Sequence, residues 1–98
     1  MENNNLYIPE SFEIVVTGRV QGVGYRHFAH QTALNLGIKG WVRNQPDDSV
    51  LIFAQADSEV IDTFIDFLYL GPTRSRVVQI SKSKINTMPI FDTFSIRY

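Results

Sequence analysis

The sequence predicts an α+β fold in which two helices pack on one face of a mostly antiparallel sheet. Three observations support this prediction: apolar, β-branched segments alternate with two helical stripes, glycine follows each stripe, and the elements have the order βαββαβ. Packing both helices on one face of a single sheet buries the apolar faces that this order creates. The predicted architecture is therefore a ferredoxin-like sandwich with a short extra strand at the C-terminus.

The first strand and the first helix begin the predicted fold. Residues 12–17 are apolar and β-branched, as strands usually are. After a glycine-rich loop, apolar residues recur at helical spacing, and Gly37 ends the helix as a left-handed cap. Leu34 falls on the opposite face. The core-facing stripe comprises Tyr25, Phe28, Ala29, Thr32, Ala33 and Leu36.

A hairpin and a second helix follow. Residues 38–44 and 50–56 flank the turn-forming residues 45–49, a pattern that predicts a β-hairpin. Asp57 or Ser58 then caps the second helix. Its buried stripe comprises Ile61, Phe64, Ile65 and Leu68.

Two strands complete the predicted sheet after Gly71 ends the second helix. Residues 76–85 carry Lys82 and Lys84, which suit a strand at the edge of the sheet. Residues 94–98 alternate in character and form the extra strand. Counting strand directions makes the first, second and last strands point the same way. If the last strand lies beside the second, it runs parallel to it and the sheet is mixed.

The composition is that of one globular domain, with 98 residues of which 44% are hydrophobic and 12% aromatic. We expect residues 1–10 to form a flexible leader and residues 11–98 to form the domain. Nine basic and ten acidic residues give a net charge of −1, so neither nucleic acid nor an anionic membrane is expected as a partner. No apolar run approaches the ~20 residues that span a bilayer. We expect a cytoplasmic monomer.

The chain contains no cysteine, which excludes disulfides, thiol catalysis and thiolate metal sites. His27 and His30 lie three residues apart on the first helix, but no carboxylate nearby in sequence completes a metal site. We expect both histidines to be solvated on the helix surface. No metal or other cofactor is expected.

The loop between the first strand and the first helix contains the most informative residues. Residues 18–26 read Gly-Arg-Val-Gln-Gly-Val-Gly-Tyr-Arg. Glycine lets successive N–H groups converge on one oxyanion, and the helix N-terminus adds free N–H groups and a positive dipole end. Arg26 adds a planar fork of donors that suits phosphate oxygens. The spacing fits neither the Walker loop nor the dinucleotide fingerprint, and the pattern indicates either an anion site or an ordinary glycine turn.

Asn44 is the second candidate for a functional residue. It ends the second predicted strand, which points the same way as the first strand, so we expect it beside the glycine loop and Arg26. Its amide could hold a water molecule against a bound phosphate. The alternative is that Asn44 merely begins the hairpin turn, as asparagine often does.

Two motifs together carry a resemblance to a known family. The segment 18–26 is followed, after the first helix, by Gly-Ile-Lys-Gly-Trp-Val-Arg-Asn at 37–44. This pair resembles the signature of the acylphosphatases. The likeness continues through Gly-Pro-Thr-Arg-Ser-Arg-Val at 71–77 to the terminal residues 94–98, and it covers nearly all of 11–98.

The resemblance implies a stand-alone enzyme that hydrolyses carboxyl-phosphate mixed anhydrides, such as acetyl phosphate, without metal or cofactor. It implies that Arg26 binds the phosphate and that Asn44 positions the attacking water. We expect inorganic phosphate and sulfate to compete with the substrate, and we expect the substrate's own phosphate to take the proton of the water, because the loop carries no acid. The loop residues whose amides would cradle the phosphate are Gln21, Gly22, Val23, Gly24 and Tyr25.

The chain departs from the family pattern at three positions. Asp48 occupies a turn position where the family usually has glycine, which predicts a left-handed backbone at an aspartate and a slightly costlier turn. Gln45 stands where many members have a hydroxyl residue, and Asp57 replaces a glycine. None of these changes touches Arg26 or Asn44, so we expect an intact site.

A non-catalytic anion or acyl-phosphate binding module on the same fold is the alternative, because a fold does not fix a function. An RNA-binding module would need exposed aromatic residues on the open sheet face with basic neighbours. Trp41 is the best candidate for such a residue, but no ribonucleoprotein motif accompanies it. We expect Trp41 to be packed.

Overall fold

The computed structural model describes residues 8–86 and 89–98, so residues 1–7 of the predicted leader lie outside the described residues. None of the helices in the described part of the chain has the length and apolar character needed to cross a membrane. The elements are β1 (Ser11–Arg19), α1 (Tyr25–Leu36), β2 (Lys39–Asn44), β3 (Val50–Gln55), α2 (Ser58–Leu70), β4 (Arg76–Ile85) and β5 (Phe94–Arg97).

The sheet has the strand order β4-β1-β3-β2-β5. Neighbouring strands are antiparallel except β2 and β5, which are parallel. The predicted ferredoxin-like α+β fold, the edge position of β4 and the mixed character of the sheet are therefore confirmed. The first strand is longer than predicted, because Gly18 and Arg19 continue to pair with β4 beyond an irregularity at Thr17.

The core lies between the sheet and the two helices. Phe12, Ile14 and Val16 alternate along β1 and are buried on the helix-covered face. Each apolar side chain of this size stabilises the fold by about 1.5–3 kcal/mol when it leaves water. Both predicted helical stripes are confirmed, and Leu34 is 45% exposed as its position on the opposite face of α1 requires. The fully buried helix residues are Tyr25, Ala29 and Ala33 of α1 and Ile61, Phe64 and Leu68 of α2.

The open face of the sheet carries Trp41, which is only 5% exposed. Its ring lies 4.4 Å from the ring of Phe53 on the neighbouring strand, and the guanidinium groups of Arg43 and Arg97 lie 5.3 and 4.4 Å from its centroid. The prediction that Trp41 is packed is confirmed. Its neighbours occupy the ring faces that a stacked base would need.

The C-terminal ends of β1, β2 and β5 lie along one edge of the sheet, namely an edge that runs across the strands and not along β4 or β5. Strands β1, β2 and β5 run in the same direction, because β3 is antiparallel to β1 and β2 and because β5 is parallel to β2. Their last residues, Arg19, Asn44 and Arg97, therefore lie at the same edge. The first helix runs back from this edge, so its N-terminus lies there too.

Candidate active site

The loop that links β1 to α1 contains two glycines with a left-handed backbone. Gly22 and Gly24 have φ values of +72° and +82°, in the left-handed region that favours glycine. Gly24 is also the residue from which α1 begins. A side chain added at either glycine would meet no atom within 4 Å, so the glycines are required by the backbone conformation and not by lack of space. We refer to residues 21–25 as the cradle loop.

Arg26 lies in the first turn of α1, beside the cradle loop. Its Nη1 donates a hydrogen bond of 3.1 Å to the carbonyl oxygen of Arg97, and its guanidinium lies 4.6 Å from the centroid of the Tyr98 ring. Neither of the ion pairs found among residues 8–86 and 89–98 involves Arg26. The side chain is thus oriented by a carbonyl and an aromatic ring, and no carboxylate of the described residues neutralises its charge.

Asn44 ends β2 with a buried polar atom. Its Oδ1 is the one buried side-chain nitrogen or oxygen in residues 8–86 and 89–98 that lacks a hydrogen-bond partner. Leaving such an atom unpaired costs about 1–3 kcal/mol, so it marks a place where a ligand or water is expected to donate.

The cradle loop, Arg26 and Asn44 border a common depression of about 230 Å³ at this edge of the sheet. Of the sequence-predicted site residues, Gly22, Gly24, Tyr25, Arg26 and Asn44 line it, whereas the side chains of Gln21 and Val23 do not. Val23 packs against the hydrophobic core instead. The complete lining is Val20, Gly22, Gly24, Tyr25, Arg26, His27, Asn44, Ile96 and Tyr98.

The side chain of Tyr25 points into the core. Its hydroxyl donates a 2.7 Å hydrogen bond to the carbonyl oxygen of Leu68 in α2. That carbonyl would normally accept from the N–H four residues later, but residue 72 is a proline and has none. Burial raises the pKa of the Tyr25 hydroxyl well above its ordinary value, so the group stays a donor. Tyr25 therefore offers only its backbone to the depression and ties the start of α1 to the end of α2.

The two histidines differ. His27 is exposed and lines the depression, but His30 is half-buried, with Nε2 3.1 Å from the carbonyl oxygen of Phe94 and its ring 6.1 Å from the Phe94 ring. The prediction of a solvated surface residue is wrong for His30, because the parallel docking of β5 covers that side of α1. No group of three potential metal-binding side chains lies together in the part of the chain that the structure describes.

Sequence reasoning missed the contribution of the C-terminus to the site. Ile96 and Tyr98 line the depression, and the carbonyl oxygen of Arg97 orients Arg26. A signal for this was available, because strand directions alone place the end of the last strand at the same edge as Asn44.

Comparison with known proteins identifies the family. The sequence matches the family model described as acylphosphatase over residues 12–96. It is 44% identical over 85 residues to the acylphosphatase of Nitratidesulfovibrio vulgaris, covering 85% of each chain, and 38% identical over 90 residues to that of Archaeoglobus fulgidus, covering 90% of this chain and 98% of the other. The crystal structure of the Bacillus subtilis acylphosphatase superposes with a TM-score of 0.87 at 34% identity, covering 91% of this chain and 99% of the other.

The chain belongs to the acylphosphatase family. The resemblance stated from the two motifs is confirmed, as is the prediction of a hydrolase.

The departure from the acylphosphatase pattern at Asp48 has the predicted conformation. Asp48 has φ of +74° and is the one non-glycine residue with positive φ in the described ranges 8–86 and 89–98. The turn around it is held by its own hydrogen bonds: the carboxylate of Asp47 accepts from the N–H (3.1 Å) and from the hydroxyl (2.5 Å) of Ser49. These hydrogen bonds hold the pKa of Asp47 below its ordinary value. Gln45, which follows Asn44, also stabilises the turn, because its Nε2 donates a 3.0 Å hydrogen bond to the Ser49 hydroxyl.

Proposed function

We propose that this protein hydrolyses acyl phosphates to a carboxylate and inorganic phosphate. One observation carries the proposal in a chain of the acylphosphatase family. Among the described residues, an arginine without an ion pair and a buried amide oxygen without a hydrogen-bond partner border the same depression as the N-terminus of a helix. The first two features suit a phosphate and a water, respectively, and the helix end favours an anion.

The phosphate is bound by the cradle loop and Arg26. In this proposal the backbone N–H groups of residues 21–25 donate to the phosphate oxygens, and the positive end of α1 favours the anion. Arg26 supplies a planar guanidinium that can donate to two oxygens at once. Its existing contacts with the Arg97 carbonyl and the Tyr98 ring fix its orientation before the substrate binds, which reduces the entropy lost on binding.

Asn44 holds the nucleophilic water in this proposal. Its Oδ1 has no partner among the described residues, so it is available to accept a hydrogen bond from a water molecule that faces the bound phosphate. Orienting one water in line with the leaving carboxylate makes use of proximity, which is worth several kcal/mol in favourable geometries.

The chemistry itself requires few protein groups. The water oxygen forms a bond to phosphorus, the bond from phosphorus to the acyl oxygen breaks, and the carboxylate leaves with the electron pair. Because the transition state is loose and the carboxylate is a good leaving group, charge stabilisation and positioning are the main requirements. A non-bridging phosphate oxygen of the substrate accepts the proton of the water.

Hydrolysis of acetyl phosphate and benzoyl phosphate by the purified full chain tests the proposal. We expect turnover of both, and little or none of a phosphate monoester such as p-nitrophenyl phosphate, whose leaving group is poorer. Absence of acyl-phosphate turnover by the folded protein would overturn the enzymatic proposal. If inorganic phosphate were then still bound, the chain would be the alternative, a non-catalytic anion or acyl-phosphate binding module.

Inorganic phosphate and sulfate should compete with the substrate and raise the Tm, because a ligand at a hundredfold excess over its Kd stabilises the native state by about 2.7 kcal/mol. Chloride at equal ionic strength is the control.

Location in the cytoplasm, a monomeric state and the absence of a cofactor stay predictions from the sequence.

A further inference from the structure

The side-chain amide of Gln21 joins the cradle loop to the turn between β2 and β3. Its Nε2 donates hydrogen bonds to the carbonyl oxygen of Gln45 (2.9 Å) and to that of Ser49 (2.8 Å). Both hydrogens of one primary amide are thus used on two carbonyls of the same turn. The partners lie 24 and 28 positions further along the chain, so this is a tertiary contact between the two halves of the site.

The turn does not need Gln21 to satisfy its own carbonyl groups. The Gln45 oxygen also accepts from the N–H of Asp48 at 3.1 Å, and the Ser49 oxygen also accepts from the N–H of Gln45 at 2.9 Å. The contact of Asp47 with Ser49 braces the turn further. The turn therefore keeps its shape without Gln21, and what the Gln21 amide determines is the position of the cradle loop relative to it.

Asn44 immediately precedes Gln45 in the chain, and Gln45 is one of the two residues whose carbonyl oxygens accept from the Gln21 amide. Because the Asn44 Oδ1 has no partner of its own among the described residues, no side-chain contact at that atom holds it at a fixed distance from the cradle. The distance between Asn44 and the cradle loop is therefore set by the backbone at the end of β2. The Gln21 amide supplies that link at the residue next to Asn44.

We infer that the side chain of Gln21 is a positioning residue that sets the distance between the phosphate held by the cradle loop and the water held by Asn44. This inference rests on the proposed function. It is separate from the role of the Gln21 backbone amide as a part of the cradle, because the side chain faces away from the depression and onto the turn.

The variant Gln21→Met tests the inference, since it keeps the length of the side chain and removes both donors. Misplacing reacting groups by about 1 Å can cost about 10²-fold in rate, so we expect kcat for benzoyl phosphate to fall about 10- to 100-fold. KM and the inhibition constant of inorganic phosphate should change less than threefold, because the amides and Arg26 remain. Gln31→Met, at an exposed position of α1, is the matched control and should retain wild-type kcat.

A double-mutant cycle with Asn44→Ala separates positioning from plain destabilisation. If Gln21 acts through Asn44, Gln21→Met should have little further effect on kcat in the Asn44→Ala background. A full additional drop there would show that Gln21 does not act through Asn44 and would overturn the inference. A rise in KM and in the phosphate inhibition constant with unchanged kcat would also overturn it, because the side chain would then be a direct phosphate contact.

Thermal unfolding controls for a merely structural role. We expect Tm to fall by about 4–8 °C in Gln21→Met, and wild-type kcat at 25 °C in the folded variant would contradict the inference. If Gln21→Met fails to fold, Gln21→Asn replaces it, because it keeps the amide but is too short to reach both carbonyls, and the same drop in kcat is expected. An inactive wild-type protein would overturn the proposed function itself, whereas an active wild type with an equally active Gln21→Met variant would overturn only this inference.

Discussion

The two helices begin in opposite electrostatic environments. The second helix starts at Asp57 and has Glu59 in its first turn, so its positive end faces acidic groups of its own chain. The first helix starts at Gly24, has no acidic residue in its first turn, and carries Arg26 there instead. Both helices pack on the same sheet face and have similar lengths of 12 and 13 residues, so the difference is not a consequence of the packing.

This difference explains why only one of the two helix ends is a candidate site. An acid near a helix N-terminus stabilises the helix by about 0.3–1 kcal/mol. The first helix forgoes this stabilisation and adds a cation, which makes its end unfavourable for the isolated fold and favourable for an external anion. The depression beside α1 and the unpartnered oxygen of Asn44 lie at that same end.

The largest effect is expected when the cation is removed. Arg26→Ala should lower kcat/KM for benzoyl phosphate by about 10³–10⁵, because removing a comparable arginine has that effect on phosphoryl transfer. Arg26→Lys should recover little activity, since an ammonium lacks the planar fork. Arg43→Ala, which removes an arginine from the open sheet face, is the control and should stay active. An Arg26→Ala variant that is folded by circular dichroism and retains a tenth of the activity would refute the role of Arg26.

A smaller effect is expected when the water-binding amide is removed and the anion site is left whole. Asn44→Ala should lower kcat by about 10²–10³, the usual contribution of one well-placed polar group. KM and phosphate inhibition should change much less. Asn44→Asp should weaken phosphate binding as well, because it adds a negative charge beside the anion. Steady-state kinetics decide the matter: a raised KM with unchanged kcat in Asn44→Ala would make Asn44 an ordinary binding contact.

Giving the first helix an acid tests the comparison directly. His27→Glu places a carboxylate in the first turn of α1 at the rim of the depression, and we expect KM and the phosphate inhibition constant to rise about three- to tenfold at low ionic strength. Added salt should reduce the effect, because His27 is exposed and charges there are screened.

Two variants control for this change. His27→Gln removes the imidazole without adding charge, and an equal rise in KM for both variants would show that charge is not the cause. Glu59→Gln removes the acid from the second helix, where we expect unchanged kinetics and a loss of about 0.3–1 kcal/mol in the free energy of unfolding.

A change at the hydrogen bond that links the two helices tests stability and not catalysis. Tyr25→Phe leaves the Leu68 carbonyl without its donor and should lower the free energy of unfolding by about 1–3 kcal/mol at pH 7. Burial raises the pKa of Tyr25, so its contribution is complete below the unfolded pKa of about 10 and declines as the pH rises further. The difference between wild type and variant, measured by urea unfolding, should therefore narrow above pH 10. A gap that widens there would contradict this account of the tyrosine.

The sequence alone determined the features that depend on local order along the chain. The stripe of α1, the left-handed cap at Gly37 and the left-handed Asp48 follow from side-chain spacing and backbone sterics. Strand directions then follow from the order of the elements. This is enough to place the ends of β1 and β2 at one edge, and so to predict Arg26 and Asn44 as neighbours.

Only the tertiary structure decided which distant atoms complete the site. The carbonyl oxygen of Arg97 reaches Arg26 across 71 positions, the Gln21 amide reaches Ser49 across 28, and His30 is covered by β5. These contacts depend on the register of β5 against β2 and on how each side chain packs, and neither has a periodic signature in the sequence. Local patterns fix where an element begins and which face it buries. The partners of its polar atoms are fixed when the elements pack, because hydrogen bonds require matched positions to within a few tenths of an ångström.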